Sequence, residues 1–305
     1  MNLPDMNEPE THLPGTLYLV ATPIGNLDDM TFRAVRVLQT ADLIAAEDTR
    51  RTGKLLQHFA IATPQTSYHE HNRRQRAAEL VDRLLAGANI ALVTDAGMPG
   101  ISDPGSELAA ACAAAGIPVV PVPGATAAIA AIAASGLPAG RFAFEGFLPT
   151  KHKDRQARLQ SLATEPRTIA LYEAPHRLLT TLQDLAAALG GDRAVVLARE
   201  LTKLHEEFAH LTLGEAIACY QTRQPKGEFV LVLAGATCDR QIDLTPDALR
   251  AELQDALERG LTRSQACREL ANLTGLPRRD LYQLALDLDG SVPDAGKADG
   301  DRSSR

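Results

Sequence analysis

The chain has 305 residues, a formal net charge of −7, 45% apolar residues and no tryptophan. That length accommodates two compact domains and a small appendage, and the apolar share suffices for a sizeable core. The acidic balance excludes a protein that coats nucleic acid through a uniformly basic surface; any contact with RNA would have to come from local basic patches.

Residues 1–14 are acidic and Pro-bearing and read as a disordered lead, without the basic start and apolar run of a signal peptide. TLYLVA, Thr16 to Ala21, is a buried strand that ends in the turn TPIGNLDD. A helix is expected from the helical spacing of Leu27, Met30, Ala34, Val37 and Leu38. Ala41–Ala46 is a second strand ending at EDTR, followed by helices over Arg50–His58 and Gln75–Leu85. Asn89–Thr94 is a strand that runs into DAGMPGISDPG. An Ala-rich helix over Glu107–Ala115 leads to the strand Pro118–Val122, which ends in PGATA. This alternation predicts an α/β domain with a mainly parallel sheet over residues 15–124.

A second α/β domain over 125–236 is expected from strand candidates at Phe142–Glu145, Thr168–Tyr172, Ala194–Ala198 and Glu228–Ala234, with a helix over Leu178–Leu189. The uncharged run Leu108 to Gly140 is long enough to span a bilayer, but its prolines and glycines break it into soluble elements. Residues 244–288 read as three short helices of helix-turn-helix type, in which acidic side chains outnumber the arginines. Residues 290–305 read as a disordered tail. Cys112, Cys219, Cys238 and Cys267 form no Cys-x-x-Cys pair, so no metal site is expected and the thiols read as reduced in a cytoplasmic protein.

No dinucleotide fingerprint, phosphate-cradling NTPase loop or nucleophile elbow occurs. What remains is a set of Gly/Pro loops at strand ends: Ala21–Leu27, Asp95–Gly105 and Pro123–Ala127. Open α/β sheets bind ligands at that edge, and glycine lets backbone approach a ligand closely. Polar clusters lie nearby. Glu47, Asp48, His69 and His71 are candidate bases; a loop histidine is more often solvated than catalytic, but two His and one Glu within SYHEHN, beside Asn72 and three arginines, make a substrate-facing role about as frequent. Basic residues gather as Arg50, Arg51 and Lys54, as Arg73, Arg74 and Arg76, and as Lys151, Lys153, Arg155 and Arg158.

Taken together, VATPIGNLDDMT, AEDTRRTGKLL, SYHEHN, ALVTDAGMPGISDPG, VPGATAAIAAIAASGL, FEGFLPTK, LYEAPHR, RELTKLHEE and KGEFVLVLAG run in order from about Gly15 to Gly235. In this combination the chain resembles the small-subunit ribosomal RNA methyltransferases of the tetrapyrrole methylase superfamily. It departs from them at Met98, where that group usually has Thr, and at Ala125-Thr126, in place of the frequent Pro-Ser. The resemblance implies two α/β domains with S-adenosyl-L-methionine in the interdomain cleft, plus the C-terminal helical piece. It also implies a homodimer, and methylation of a cytidine 2′-hydroxyl in the decoding region of 16S rRNA; the acidic charge with its patchy basic runs points to the small ribosomal subunit rather than naked RNA as the substrate. By this resemblance Pro23, Asp95, Ala96, Gly97, Met98, Ile101, Ala125, Thr126 and Arg199 would hold the cofactor, and Tyr172 and Glu173, at a strand end in the second domain, would close the pocket from that side. Arg50, Arg51, Arg73, Arg74, Lys151 and Lys203 would face RNA. Two other readings are weighed beside it: a relative that methylates a small molecule or a protein side chain, and a non-catalytic ribosome-assembly protein that binds RNA.

Overall fold

The computed structural model describes residues 13–236 and 244–288, so the lead over 1–12, Cys238 and the tail from 290 lie outside the described residues. Two five-stranded sheets make up the first unit, which ends at Ala236.

The first sheet holds β1 (Leu17–Val20), β2 (Leu43–Ala46), β3 (Gln65–Ser67), β4 (Ile90–Val93) and β5 (Val119–Val122), in the order β3-β2-β4-β1-β5. Every pairing is parallel. Helices cover both faces, which is why β2 and β4 are continuous apolar runs rather than alternating ones. Strand alternation sends Leu43, Ala45, Ile90 and Leu92 to one face, against α3 (Arg73–Leu85) and α4 (Ser106–Ala114). Ile44, Ala46, Ala91 and Val93 go to the other, against α1 (Phe32–Thr40) and α2 (Thr49–His58).

The second sheet holds β6 (Phe142–Phe147), β7 (Thr168–Glu173), β8 (Ala194–Arg199), β9 (Glu207–Thr212) and β10 (Phe229–Leu233), in the order β6-β7-β10-β8-β9. Only β6 and β7 pair in parallel; the other neighbours are antiparallel. One face packs Ile169, Leu171, Leu197 and Leu231 against α6 (His152–Ala163), α7 (Leu178–Leu189) and α8 (Leu213–Thr222). The opposite face carries the small side chains Ala170, Ala198, Val230 and Val232. It receives α5 (Ala127–Ala134) and, from the first half of the chain, Ile24.

Several expectations need correction. The helix expected from Leu27 begins at Phe32, because the Thr31 side chain accepts the Ala34 N–H and caps it there, while residues 27–29 form a separate 3₁₀ turn. The strands β3 and β9 and the helix α8 were not expected. β3 is three polar residues at a sheet edge, and β9 buries none of its residues fully, so neither has the alternation that marks a strand.

The second unit contains α9 (Pro246–Glu258), α10 (Arg263–Thr274) and α11 (Arg278–Asp287) around Leu249, Leu253, Ala266, Cys267, Leu270 and Leu281. Thr262 and Gln265 form a reciprocal capping box at the start of α10, and Gly275 ends that helix in the left-handed conformation. No helix among the described residues is long and apolar enough to cross a membrane.

Candidate functional site

Because the first sheet is wholly parallel, the loops after β1, β4 and β5 emerge at one edge. Two of them are knitted together by backbone: Thr22 and Gly97 exchange N–H···O=C bonds at 3.0 Å in each direction. Gly97 has φ +85°, a conformation that its lack of a side chain makes inexpensive. Across the gap, register places the end of β7, the end of β8 and the start of β10 side by side, with Phe229 opposite both Glu173 and Arg199.

Between these edges lies a cavity of about 440 Å³. Asp95, Ala96, Gly97, Met98, Ile101, Thr126, Tyr172 and Glu173 all line it. Three other expected cofactor residues do not. Pro23 lines a smaller adjoining cavity. Ala125 stands behind Gly97, its carbonyl 3.8 Å from where a Cβ on that glycine would be. Arg199 is turned to Glu207 at 2.9 Å and to the Lys226 carbonyl, although its neighbour Ala198 reaches the cavity.

One wall is apolar and aromatic. Tyr172 packs edge-on against Phe144 and Phe147, and its hydroxyl accepts the Ala128 N–H. Beside it, the buried Glu173 carboxylate turns inward: Oε2 accepts from Thr181 Oγ1 at 2.5 Å and Oε1 from the Ala174 N–H. Thr181 in turn accepts from Arg155, which also binds Asp184 at 2.7 Å. Glu173 therefore serves the cavity by fixing the 172–175 turn. Arg155, grouped above with a basic run, is 9% exposed and is a buried strut, not a surface cation.

The opposite wall is acidic. The Asp95 N–H donates to Glu47 Oε2 at 3.2 Å, and Arg51 pairs with Asp95 Oδ2 at 3.1 Å. Asp95 Oδ1 is buried without a partner. Burial raises the Glu47 pKa, with the Asp95 charge adding to it, against the Asp95 N–H and Arg51. Asp103, in the same loop as Asp95, is pushed up to about 7 by burial, with the charges of Glu47 and Asp95 adding. Sequence reasoning missed Asp103, because an Asp before Pro in a Gly/Pro loop looks like any turn former. No group of three or more His, Cys, Asp or Glu among the described residues is arranged to hold a metal ion.

The other candidates stand elsewhere. Asp48 caps α2 through the Arg50 N–H and pairs with the Arg50 guanidinium, which holds its pKa well below the usual range. His69 packs edge-on against His71, and His71 lines a separate surface pocket with Arg73 and Arg74. Arg73 is neutralised by Glu70 and Glu107, and Lys203 by Glu200 and Glu228. Arg74 and Lys151 are exposed.

A family model described as Tetrapyrrole (Corrin/Porphyrin) Methylases matches residues 16–217, and one described as RsmI C-terminal HTH domain matches residues 243–289. A Synechocystis protein named ribosomal RNA small subunit methyltransferase I is 64% identical over 275 residues, covering 90% of this chain and 99% of that protein. A protein of the same name from Escherichia coli O157:H7 is 49% identical, over 90% and 96% of the two chains. Among solved structures, uroporphyrin-III-C-methyltransferase from Thermus thermophilus has a TM-score of 0.53 at 22% identity, covering 72% of this chain and 94% of that one. A second structure of that enzyme, described as complexed with S-adenyl homocysteine, covers 72% of this chain and 97% of that one, with a TM-score of 0.51 at 21% identity. At such identities the structural likeness carries the fold alone.

Proposed function

Because the chain belongs to the tetrapyrrole methylase family, we propose that its larger cavity transfers a methyl group from S-adenosylmethionine to the ribose 2′-hydroxyl of a cytidine in small-subunit ribosomal RNA. The chain is an S-adenosylmethionine-dependent rRNA methyltransferase. The observation that carries this reading is the cavity between the two sheet edges, where an acidic wall faces an aromatic one.

The residues present fit the donor. S-adenosylmethionine supplies a methyl on a positively charged sulfur, and that charge disappears when the methyl is displaced in line. The unpartnered Asp95 Oδ1, with Glu47 and Asp103, gives the cavity the negative potential a cation needs. Met98, Ile101, Phe147 and Tyr172 give it the apolar surface that excludes water. Holding the reacting atoms in line supplies on the order of 7–11 kcal/mol in favourable cases.

A ribose hydroxyl needs a proton acceptor, typically worth about 10²–10⁴-fold. Asp103 suits that role best. It lines the cavity, makes no hydrogen bond or ion pair with a described residue, and has a pKa near the working pH. Glu47 is second, since it is already tied to the Asp95 N–H. We read the substrate as the small ribosomal subunit rather than naked RNA, since an acidic chain with paired arginines holds free RNA poorly at physiological salt. We also read a cytoplasmic homodimer, in which a second copy covers apolar side chains such as Phe32 and Leu204, 92% and 93% exposed.

The test is transfer of labelled methyl to isolated small subunits, with free tetrapyrroles as the rival acceptor. Label in a ribose 2′-O-methyl group of the RNA supports the reading; label only in tetrapyrrole overturns it.

A further inference from the structure

Beside the methyl-transfer cavity lies the smaller one, of about 270 Å³, which shares Arg51 and Asp95 with it. Of its lining, Pro23, Arg51 and Asp95 already have expected roles, whereas Thr22, Thr52, Lys54 and Thr94 have none. Its floor is the end of β4, its sides are the Thr22–Gly25 turn and one face of α2, and its rim carries Arg51 and Lys54. Contact across the halves of the fold holds the turn in place: a Cβ on Gly25 would meet the Lys203 side chain at 2.5 Å and the Leu201 carbonyl at 2.9 Å.

Thr94 lines this cavity. It is 2% exposed, and its Oγ1 is buried with no hydrogen-bond partner. Thr22, equally buried, is different, because its hydroxyl donates to the Thr94 carbonyl at 3.1 Å. A buried hydroxyl left unpaired is costly and uncommon, and a water, an ion or a ligand then supplies the missing acceptor. At the rim, Lys54 is exposed and makes no ion pair with a described residue, whereas Arg51 is balanced by Asp95. One unmet donor at the floor and one unbalanced cation at the rim suit an occupant rich in acceptors and negative at one end.

We propose that this smaller cavity seats one nucleotide of the RNA substrate, with its phosphate at Lys54 and Arg51 and a sugar or base oxygen accepting from Thr94 Oγ1. This rests on the rRNA methyltransferase reading. The placement meets what the reaction requires. A 2′-oxygen is joined to its own 3′-phosphate through C2′, C3′ and O3′ alone, so a nucleotide held here presents its ribose to the adjoining cavity. An enzyme that acts on one nucleotide of a folded RNA must draw it from its stack and hold it.

The test uses the full-length protein with Thr94→Val and, separately, Lys54→Met. Each is measured for methylation of small subunits, for cofactor binding by calorimetry and for thermal melting. Thr94→Val is expected to keep its Tm or raise it, since it deletes a hydroxyl that has no partner. Its KM for small subunits should rise roughly tenfold, the worth of one hydrogen bond, with cofactor affinity unchanged. Lys54→Met should lower the slope of log affinity against log salt by about 1. Wild-type KM in the first variant and wild-type slope in the second would overturn the proposal. So would a parallel loss of cofactor affinity, which would give the cavity to the donor, or a clear fall in Tm for Thr94→Val, which would make the hydroxyl structural. If the wild-type protein methylates no ribosomal RNA, the functional reading itself fails, and this seat with it.

Discussion

Gly97 is where backbone geometry and the proposed cofactor site meet. A Cβ there meets nothing closer than Ile24 Cγ2 at 3.6 Å, so bulk alone is tolerated, but φ +85° strains any other residue. Gly97→Ala is expected to cost about 1–2 kcal/mol of stability and to weaken S-adenosylmethionine binding. Gly97→Val adds β-branching at the same φ and should be worse on both counts; titration of the folded Ala variant separates the effects. Asp103 gives a pH signature. A cationic ligand favours the ionised carboxylate, so cofactor affinity should rise from pH 6 to pH 8 as a group near 7 loses its proton, and Asp103→Asn should flatten that rise. Folding should show the reverse trend. The folded carboxyl keeps its proton up to about 7, whereas an unperturbed one releases it near 3.8. The folded state then binds more protons between those values, and stability falls as pH rises through them. Asp103→Asn should therefore raise Tm relative to wild type at pH 8 and not at pH 4.

At the scale of elements, the turn after β7 owes its position to a buried polar chain from Glu173 through Thr181 to Arg155 and Asp184. Thr181→Val removes the donor to a buried carboxylate. It should destabilise by about 1–3 kcal/mol, read as a Tm loss of roughly 2–4 °C per kcal/mol for a unit of this size. Most strands were legible because burial on both faces writes itself as apolar runs, as in LIAA and IALV. The loops that line the cavities were legible as Gly/Pro breaks after those runs. What stayed hidden was set by tertiary context. β9 exists because β8 offers it a partner across Ala194–Arg199, and its own residues carry no pattern. Glu173 lines the cavity as its strand-end position suggested, but the Thr181 hydroxyl that turns its carboxylate inward lies eight residues on. The basic run 151–158 mixed exposed lysines with the buried Arg155, a distinction that depends on where α6 packs.

For the whole molecule, the two units have separate cores, one around the sheets and one within α9 to α11. A chain ending at Ala236 should therefore fold and bind S-adenosylmethionine normally. It should methylate small subunits poorly if the helical unit serves docking on the particle. Full methylation by the truncated chain would make the helices dispensable, and lost cofactor binding in a folded truncation would mean that they help to build the cleft. Mass mapping of small-subunit ribosomal RNA, from cells lacking this chain and from the same cells with it restored, tests whether the proposed methyl-donor cavity serves a ribosomal RNA acceptor. The expected result is one cytidine in the decoding region that lacks its 2′-O-methyl group and regains it on restoration. Identical methylation in both RNAs would contradict the account.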